Sequence, residues 1–243
     1  MAVPPDSRTA VVIQPSYIPW RGYFDLIRRA DVFVFYDDVQ YDKHGWRNRN
    51  QIKTPDGLRW LTIPVHAKGN TLNRTPICDI RIDWTEDWAH THKQRLRQAY
   101  AKAPHFREND AFLESLYADK MELLADYTIE TTMRLAQLLG IRSTEFVRSS
   151  TLGVQGAKTD RLLDTLRRVG ATRYISGPSA ATYIQANQFF ENGISLEYID
   201  YQYRPYEQLY PPFTDKVTIL DLIFMRGLES NQYLLPVPGT GAL

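Results

Sequence analysis

Cysteine is nearly absent: Cys78 stands alone in 243 residues. That excludes an internal disulfide framework and a cysteine-based zinc cluster, and it is compatible with a reducing compartment. Long hydrophobic runs are also missing. No apolar stretch approaches the roughly 18–20 residues needed to span a bilayer. The opening MAVPPDSRTA has no cationic segment leading into an apolar one, so no signal peptide is expected. Nor is there an excess of either charge, with 29 Lys and Arg against 28 Asp and Glu. A globally basic nucleic-acid coat and an acidic disordered tail are therefore excluded, while a local basic groove is not. Internal repeats and low-complexity tracts are lacking. The expectation is a soluble cytoplasmic protein with no membrane partner. Apolar residues make up 43% of the chain and aromatics 12%, enough to bury a sizeable core and too many for disorder.

Hydrophobic patterning gives the organisation. TAVVIQP reads as a buried strand ended by Gln14 and Pro15. GYFDLIRRA reads as a helix with Arg28 and Arg29 on its wet side. The run Val32-Phe33-Val34-Phe35-Tyr36 is apolar on both faces, which suits an interior parallel strand and completes a βαβ unit. Residues 41–60 read as a polar loop with a Pro55-Asp56-Gly57 turn, followed by strands in LRWLTIPV and TPICDIRIDW. From about residue 87 to 140 the composition is helical, with Gly140 as a C-terminal cap. Strands in TEFVRSS, RYISGP and ISLEYIDY and helices in TDRLLDTLRRVGA and ILDLIFMRG follow. This predicts an α/β fold, a Rossmann-like and mainly parallel sheet with an inserted or appended helical subdomain. The expected divisions are a flexible 1–9, a core in two parts (10–86 and 141–228), a helical subdomain (87–140) and a loose tail (229–243).

Familiar catalytic signatures are missing too. There is no G-x-G-x-x-G, so no nicotinamide dinucleotide is proposed, and no G-x-S-x-G elbow. The five histidines form no HExxH, and no metal site or cofactor is proposed. Gly156-Ala157-Lys158-Thr159 superficially resembles a phosphate loop, but Gly153 is too close to serve as its first glycine. As a helix start bearing Lys158 and a Thr159 cap, it retains the capacity to hold an anion. Cys78 lies in a strand-like segment and reads as packed rather than nucleophilic.

Four loops carry the remaining chemistry. Gln14, Tyr17 and Trp20 follow the first strand, where open parallel sheets bind ligands. A Pro-rich packing turn is the alternative. Asp37, Asp38, Gln40 and Tyr41 end the second strand, and adjacent residues there point to opposite sides, so at most one carboxylate faces the first loop. Between Lys43 and Lys53, cations alternate with His44, Trp46, Asn48 and Arg49, a pattern suited to phosphate or carboxylate with Trp46 stacking on a base. A solvated charged loop is the alternative. In a parallel sheet, Ser176 and Gly177 of ISGPS return to the same edge.

Taken in order, IQPSYIPWRGYFDLI, DVFVFYDDVQYDKHGWRNRNQIK, WLTIPV, KTDRLL, YISGPSAATYI, YRPYEQ and ILDLIF make the chain resemble the WbqC-like family from about residue 11 to 227. The family pattern falls on Gln14, Pro15, Tyr17, Pro19, Gly22, Asp38, Gln40, Tyr41, Lys43, Trp46, Asn48, Arg49 and Lys53. It continues on Lys158, Thr159, Gly177, Tyr183, Tyr206, Gln208 and Asp221. The resemblance implies transfer of an amino acid to an amine in surface-polysaccharide or antibiotic biosynthesis, with aminoacyl-tRNA as donor and a small amine-bearing acceptor. A weaker similarity links the first loop to nucleotidyltransferase cores. Tyr23 stands where their second histidine would be and no histidine precedes it, which argues against adenylylation.

The resulting expectation assigns roles. Asp38 binds or deprotonates the amine. Lys43, Arg49 or Lys53 holds a phosphate, and Asn48 or Gln14 donates to the oxyanion. Tyr17, Trp20 and Trp46 stack on a base or wall the acceptor. Lys93, Arg95, Arg97, Lys102 and Arg107 offer a tRNA footprint, with a solvated helix face as the alternative. The rival reading is a nucleotide- or nucleotide-sugar-dependent transferase without tRNA. A third is a non-catalytic binding subunit.

Overall fold

In the computed structural model, residues 7–66, 73–178 and 184–235 are described. Tyr183, residues 1–6 and the end of the tail (236–243) lie outside them.

The first strand, β1 (Thr9–Ile13), is the centre of the architecture. It pairs in parallel with β2 (Val32–Phe35) on one side and β6 (Arg173–Ser176) on the other. With β5 (Glu145–Arg148) beyond β2 and β7 (Ser195–Tyr198) beyond β6, the order is β5-β2-β1-β6-β7, parallel throughout. Alternation along β1 and β2 sends side chains into two separate cores. Val11, Ile13, Phe33 and Phe35 face the larger one, and Ala10, Val12, Val32 and Val34 face the smaller. Helices cover both faces, as the Rossmann-like expectation requires. On the smaller-core face lie α5 (Lys158–Arg168) and α6 (Ala186–Glu191), through Leu163, Leu166 and Phe189.

On the larger-core face, α1 (Arg21–Arg29) buries Phe24, Leu26 and Ile27, each contributing about 1.5–3 kcal/mol. Arg28 and Arg29 do not simply point to water. They fold back onto the fully buried Asp25, at 2.8 and 3.0 Å, and Tyr203 completes that carboxylate's shell at 2.9 Å. The same core continues into α2 (Trp88–Tyr100), α3 (Phe106–Leu116), α4 (Leu124–Leu138) and α7 (Ile219–Arg226). The helical block thus sits between β2 and β5 in the chain and shares the core of the sheet. Gly140 ends α4 at φ +77°, with its N–H on Gln137 and that of Ile141 on Ala136, a Schellman closure.

Some local expectations need correction. Part of the 41–60 loop is an antiparallel hairpin, β3 (Arg49–Thr54) and β4 (Gly57–Thr62). Only Ile52 and Leu61 of its apolar residues are fully buried, so polar composition masks the period. TPICDIRIDW is a single 3₁₀ turn at Ile77–Asp79 followed by isolated bridges, because the chain closes on Val65 and Leu123 rather than on a neighbouring strand. Thr159 lies inside α5 rather than capping it; the cap position is Ala157. The segment Gly227–Leu234 is a 3₁₀ helix that buries Tyr233 and Leu234, not a loose tail.

Candidate functional site

All five strands run the same way, so the loops after β1, β2, β5, β6 and β7 emerge at one edge. The chain turns to opposite sides after β1 and after β6, which makes the gap between them the topological switch point. A cleft of about 1170 Å³ opens there on the α5 side. Val12, Asp38, Gln40, Lys158, Arg161 and Tyr174 line it, with Tyr36 and Gln188 alongside.

The two acids at the end of β2 separate as the pleat dictates. Asp37 is fully buried and structural. It accepts from the Ser150 N–H at 2.9 Å, the Ser150 hydroxyl at 2.9 Å and Arg148 Nε at 2.7 Å, which ties the ends of β2 and β5 together. Asp38 faces the cleft. One oxygen accepts from the Ser149 hydroxyl and the other meets Arg161 Nη2. A carboxylate held this way still offers lone pairs to a ligand. Tyr36 is half-buried beside the pair, and burial raises its phenol above the ordinary value.

The opening of α5 forms the opposite wall. Gly156 (φ +87°) and Lys158 (φ +50°) bracket an extended Ala157, so the chain doubles back before the helix begins. A Cβ on Gly156 would lie 3.3 Å from the Arg161 nitrogen. The first turn of α5 has no side-chain cap and lines the cleft with Lys158, Thr159 and Asp160; the helix start and the lysine favour an anion, and Asp160 opposes it.

A second recess lies across β1, on the α1 side. It measures about 460 Å³ and is walled by Trp20, Tyr23 and Trp46, with Arg47, Asn50 and Asp215. Trp20 is set by its neighbour: a Cβ on Gly22 would fall 2.3 Å from Trp20 Cζ2, so only glycine lets the indole lie across the first turn of α1. Tyr201 packs against it edge-on at 4.9 Å. Asn50 Nδ2 donates to the carbonyls of Tyr17 (3.1 Å) and Ile18 (2.8 Å), fixing Ile18 at φ +38°.

The sequence-derived site residues therefore divide. Asp38, Gln40 and Lys158 meet in the switch-point cleft. Trp20 and Trp46 meet in the second recess, and Gln14 serves its wall through its carbonyl, which accepts from Tyr23 at 3.1 Å and Arg47 at 3.1 Å. Others are framework. Tyr17 is fully buried, its hydroxyl 2.9 Å from His92 Nδ1 and 2.6 Å from the Tyr117 hydroxyl, so it presents no face to a base. Asn48 is buried and donates to Ile63 at 2.8 Å, which removes it as an oxyanion donor. Lys53 is buried on Gln208 Oε1 at 2.7 Å and the Pro212 carbonyl, not on a phosphate site. Burial lowers its pKa. Tyr41 is buried, and that pushes its phenol up to about 12. Ser176 is buried under Tyr174 at 3.2 Å, and Gly177 lies against Tyr201. Lys43 is exposed in an adjoining recess with His44, which shares Gln40 with the cleft. Arg49 stacks over Trp60 at 4.5 Å and bonds the carbonyls of Gly45 and His44. Sequence reasoning missed Arg161 and Arg47. Arg161 follows Lys158 by one helical turn, a detectable signal, whereas nothing in the sequence marks Arg47 as buried.

Of the five basic residues of the expected footprint, two, Lys93 and Arg97, are ion-paired. Lys93 meets Glu114 at 2.7 Å, and Arg97 meets Asp110 at 3.0 Å and Glu114 as well. Among the described residues, no group of three His, Cys, Asp or Glu is placed to hold a metal ion, and no helix is long and apolar enough to cross a membrane. Burial, with Asp79 next, pushes the Cys78 thiol up to about 11, far from a nucleophile's range.

A parallel sheet with an open cleft at its switch point defines an α/β protein of Rossmann-like architecture. The chain belongs to the WbqC-like protein family, whose model matches residues 14–233. It is 41% identical to "Uncharacterized protein Rv1507c" of Mycobacterium tuberculosis, over 93% of this chain and 97% of that one. No solved structure matches it.

Proposed function

We propose that the chain is an aminoacyltransferase that moves an amino acid from an activated ester, an aminoacyl-tRNA, to the amine of a biosynthetic intermediate. One observation carries this reading: a single cleft places the carboxylate of Asp38 opposite Lys158 and the opening of α5. A carboxylate suits an ammonium, and a helix start with a lysine suits a donor's phosphate.

The ester is already reactive, so the protein's work is positioning and proton handling. Asp38, oriented by Ser149 and Arg161, receives the acceptor ammonium and takes its proton. The freed nitrogen attacks the ester carbonyl, the amide C–N bond forms, and the C–O bond to the ribose breaks. The ribose oxygen leaves with the second proton that the nitrogen gives up, and Asp38 releases the first to water. Gln40, exposed at the cleft rim, supplies an amide donor to the carbonyl oxygen in place of the buried Asn48.

The test is a transfer assay read by mass spectrometry, with isotope-labelled aminoacyl-tRNAs, a pool of small amines, and RNase in a parallel arm. The expected result is an aminoacylated product that RNase abolishes. Transfer that survives RNase, or that needs ATP and free amino acid, rejects the tRNA donor. The second reading, a nucleotide- or nucleotide-sugar-dependent transferase, gains from the pairing of Lys93 and Arg97 with α3 acids, which leaves less of α2 for RNA. Any turnover by the isolated chain excludes a purely non-catalytic subunit.

A further inference from the structure

We propose that the recess between Trp20 and Trp46 is a second ligand site, for a carboxylate carried on an aromatic or otherwise flat apolar group. It is distinct from the switch-point cleft, because Val12 and Ile13 send their side chains to opposite faces of β1 and each lines a different recess.

Charge makes the first argument. Arg47 lines this recess, and its Nε is buried without a hydrogen-bond partner. Its Nη1 donates to the carbonyls of Gln14 (3.1 Å) and Pro15 (3.2 Å), which are neutral. Among the described residues no carboxylate comes within ion-pair distance of it; Asp42 attracts it only from farther away. The acid in the wall, Asp215, is already engaged by the buried Arg21. Arg21 is itself enclosed by the rings of Tyr203, Tyr206 and Phe213. A half-buried guanidinium whose Nε is cut off from water and meets no counter-ion is costly, and an incoming carboxylate supplies what the chain does not. Lys216 at the rim adds a second positive charge.

Shape makes the second argument. Trp20, Tyr23 and Trp46 present aromatic surface with Ile13, Pro19 and Val217, and the recess is of small-ligand size. Trp20 is held by Tyr201 and by the absence of a Cβ on Gly22, so its wall is preformed. Trp46 is 43% exposed, unusual for a tryptophan that only packs. A flat apolar group against these rings leaves its anionic end to Arg47.

The experiment uses the full chain, with 3-phenylpropionate and its neutral isostere 3-phenylpropanamide as probes, read by saturation-transfer NMR and calorimetry. The expected result is at least tenfold tighter binding of the carboxylate, lowered to the amide's level by Arg47→Gln and weakened for both probes by Trp46→Ala. Lys158→Ala, in the other cleft, is expected to leave both affinities unchanged. Equal affinity for the two probes, no binding of either, or loss of binding in Lys158→Ala overturns the proposal. Arg47 also pins the 14–15 carbonyls. Should its replacement fail to fold, the wild-type preference and the Trp46→Ala variant decide the question. None of these readouts depends on transfer activity, so they stand apart from the fate of the aminoacyltransferase reading.

Discussion

Two recesses flank the carboxyl end of β1, and they treat buried charge in opposite ways. At the switch-point cleft, both acids at the end of β2 are matched: Asp37, behind the wall, by Arg148, and Asp38, which lines it, by Arg161. In the tryptophan-walled recess, Arg47 is half-buried, its hydrogen bonds go to neutral carbonyls and its buried Nε has no partner. The first arrangement fixes geometry and leaves an orientated carboxylate for chemistry. The second fixes shape and leaves an electrostatic demand. A matched buried charge describes a framework, while an unmatched one describes what must arrive.

The sharpest way to break this comparison is Asp38→Asn. If the cleft performs the chemistry, turnover falls at least a hundredfold, the usual scale for losing a positioned acid–base group. Probe binding in the tryptophan-walled recess stays as in the wild type. Full turnover in the variant, measured by product mass, removes Asp38 from the mechanism.

The contrast was only partly legible in the sequence. β1 and β2 were readable because both of their faces are buried, so Val11-Val12-Ile13 and Val32-Phe33-Val34-Phe35 form unbroken apolar runs. Of the β3–β4 hairpin, the Pro55-Asp56-Gly57 turn and β4 were readable, but β3 was not, since its buried positions include Asn50 and Lys53 beside Ile52. Those polar groups are satisfied by Tyr17, Ile18 and Gln208, partners up to 155 positions away that local patterning cannot see. Asp38 and Lys158 could be nominated from strand-end and helix-start positions. Their convergence depended on strand order. Tyr17, Asn48 and Lys53 have the residue types of a binding site, but burial assigns them to the framework.

Acid provides the next contrast. His92 is buried among the rings of Tyr17, Trp88 and Tyr117, away from both recesses' linings, and burial first, then Arg95, pushes its pKa from 6.5 down to about 4. The folded state therefore binds fewer protons than the unfolded chain between those values, and stability is lost as pH falls through that window. Between pH 7 and pH 5 the loss is about 2 kcal/mol. Asp221 has its pKa raised by burial and works with the opposite sign. Urea midpoints for wild type and His92→Gln isolate the histidine: the variant is expected to lose clearly less stability on acidification. Equal slopes reject the assignment.

Gly22→Ala tests the wall directly. The new methyl meets Trp20 at 2.3 Å, so the indole must swing away from α1. The expected cost is about 1.5 kcal/mol, in the range for overpacking a tight contact. Binding of 3-phenylpropionate is expected to fall with it, while turnover in the cleft changes little. Unaltered probe binding places Trp20 outside the second site.

The smallest effect belongs to Lys158→Ala. Lys158 is exposed at the mouth of the cleft, where water and salt screen its charge, so a loss of about fivefold in donor affinity is expected rather than an abolition. The mark of its role is the salt dependence. A lysine that contacts a donor phosphate displaces a counter-ion, and removing it flattens the fall of affinity with salt by about one unit of log–log slope. A lysine that only fills the rim leaves that slope alone. Donor titrations at several salt concentrations separate the two cases. An unchanged slope removes Lys158 from the anion-binding role, whereas a flattened one puts a donor phosphate at the start of α5.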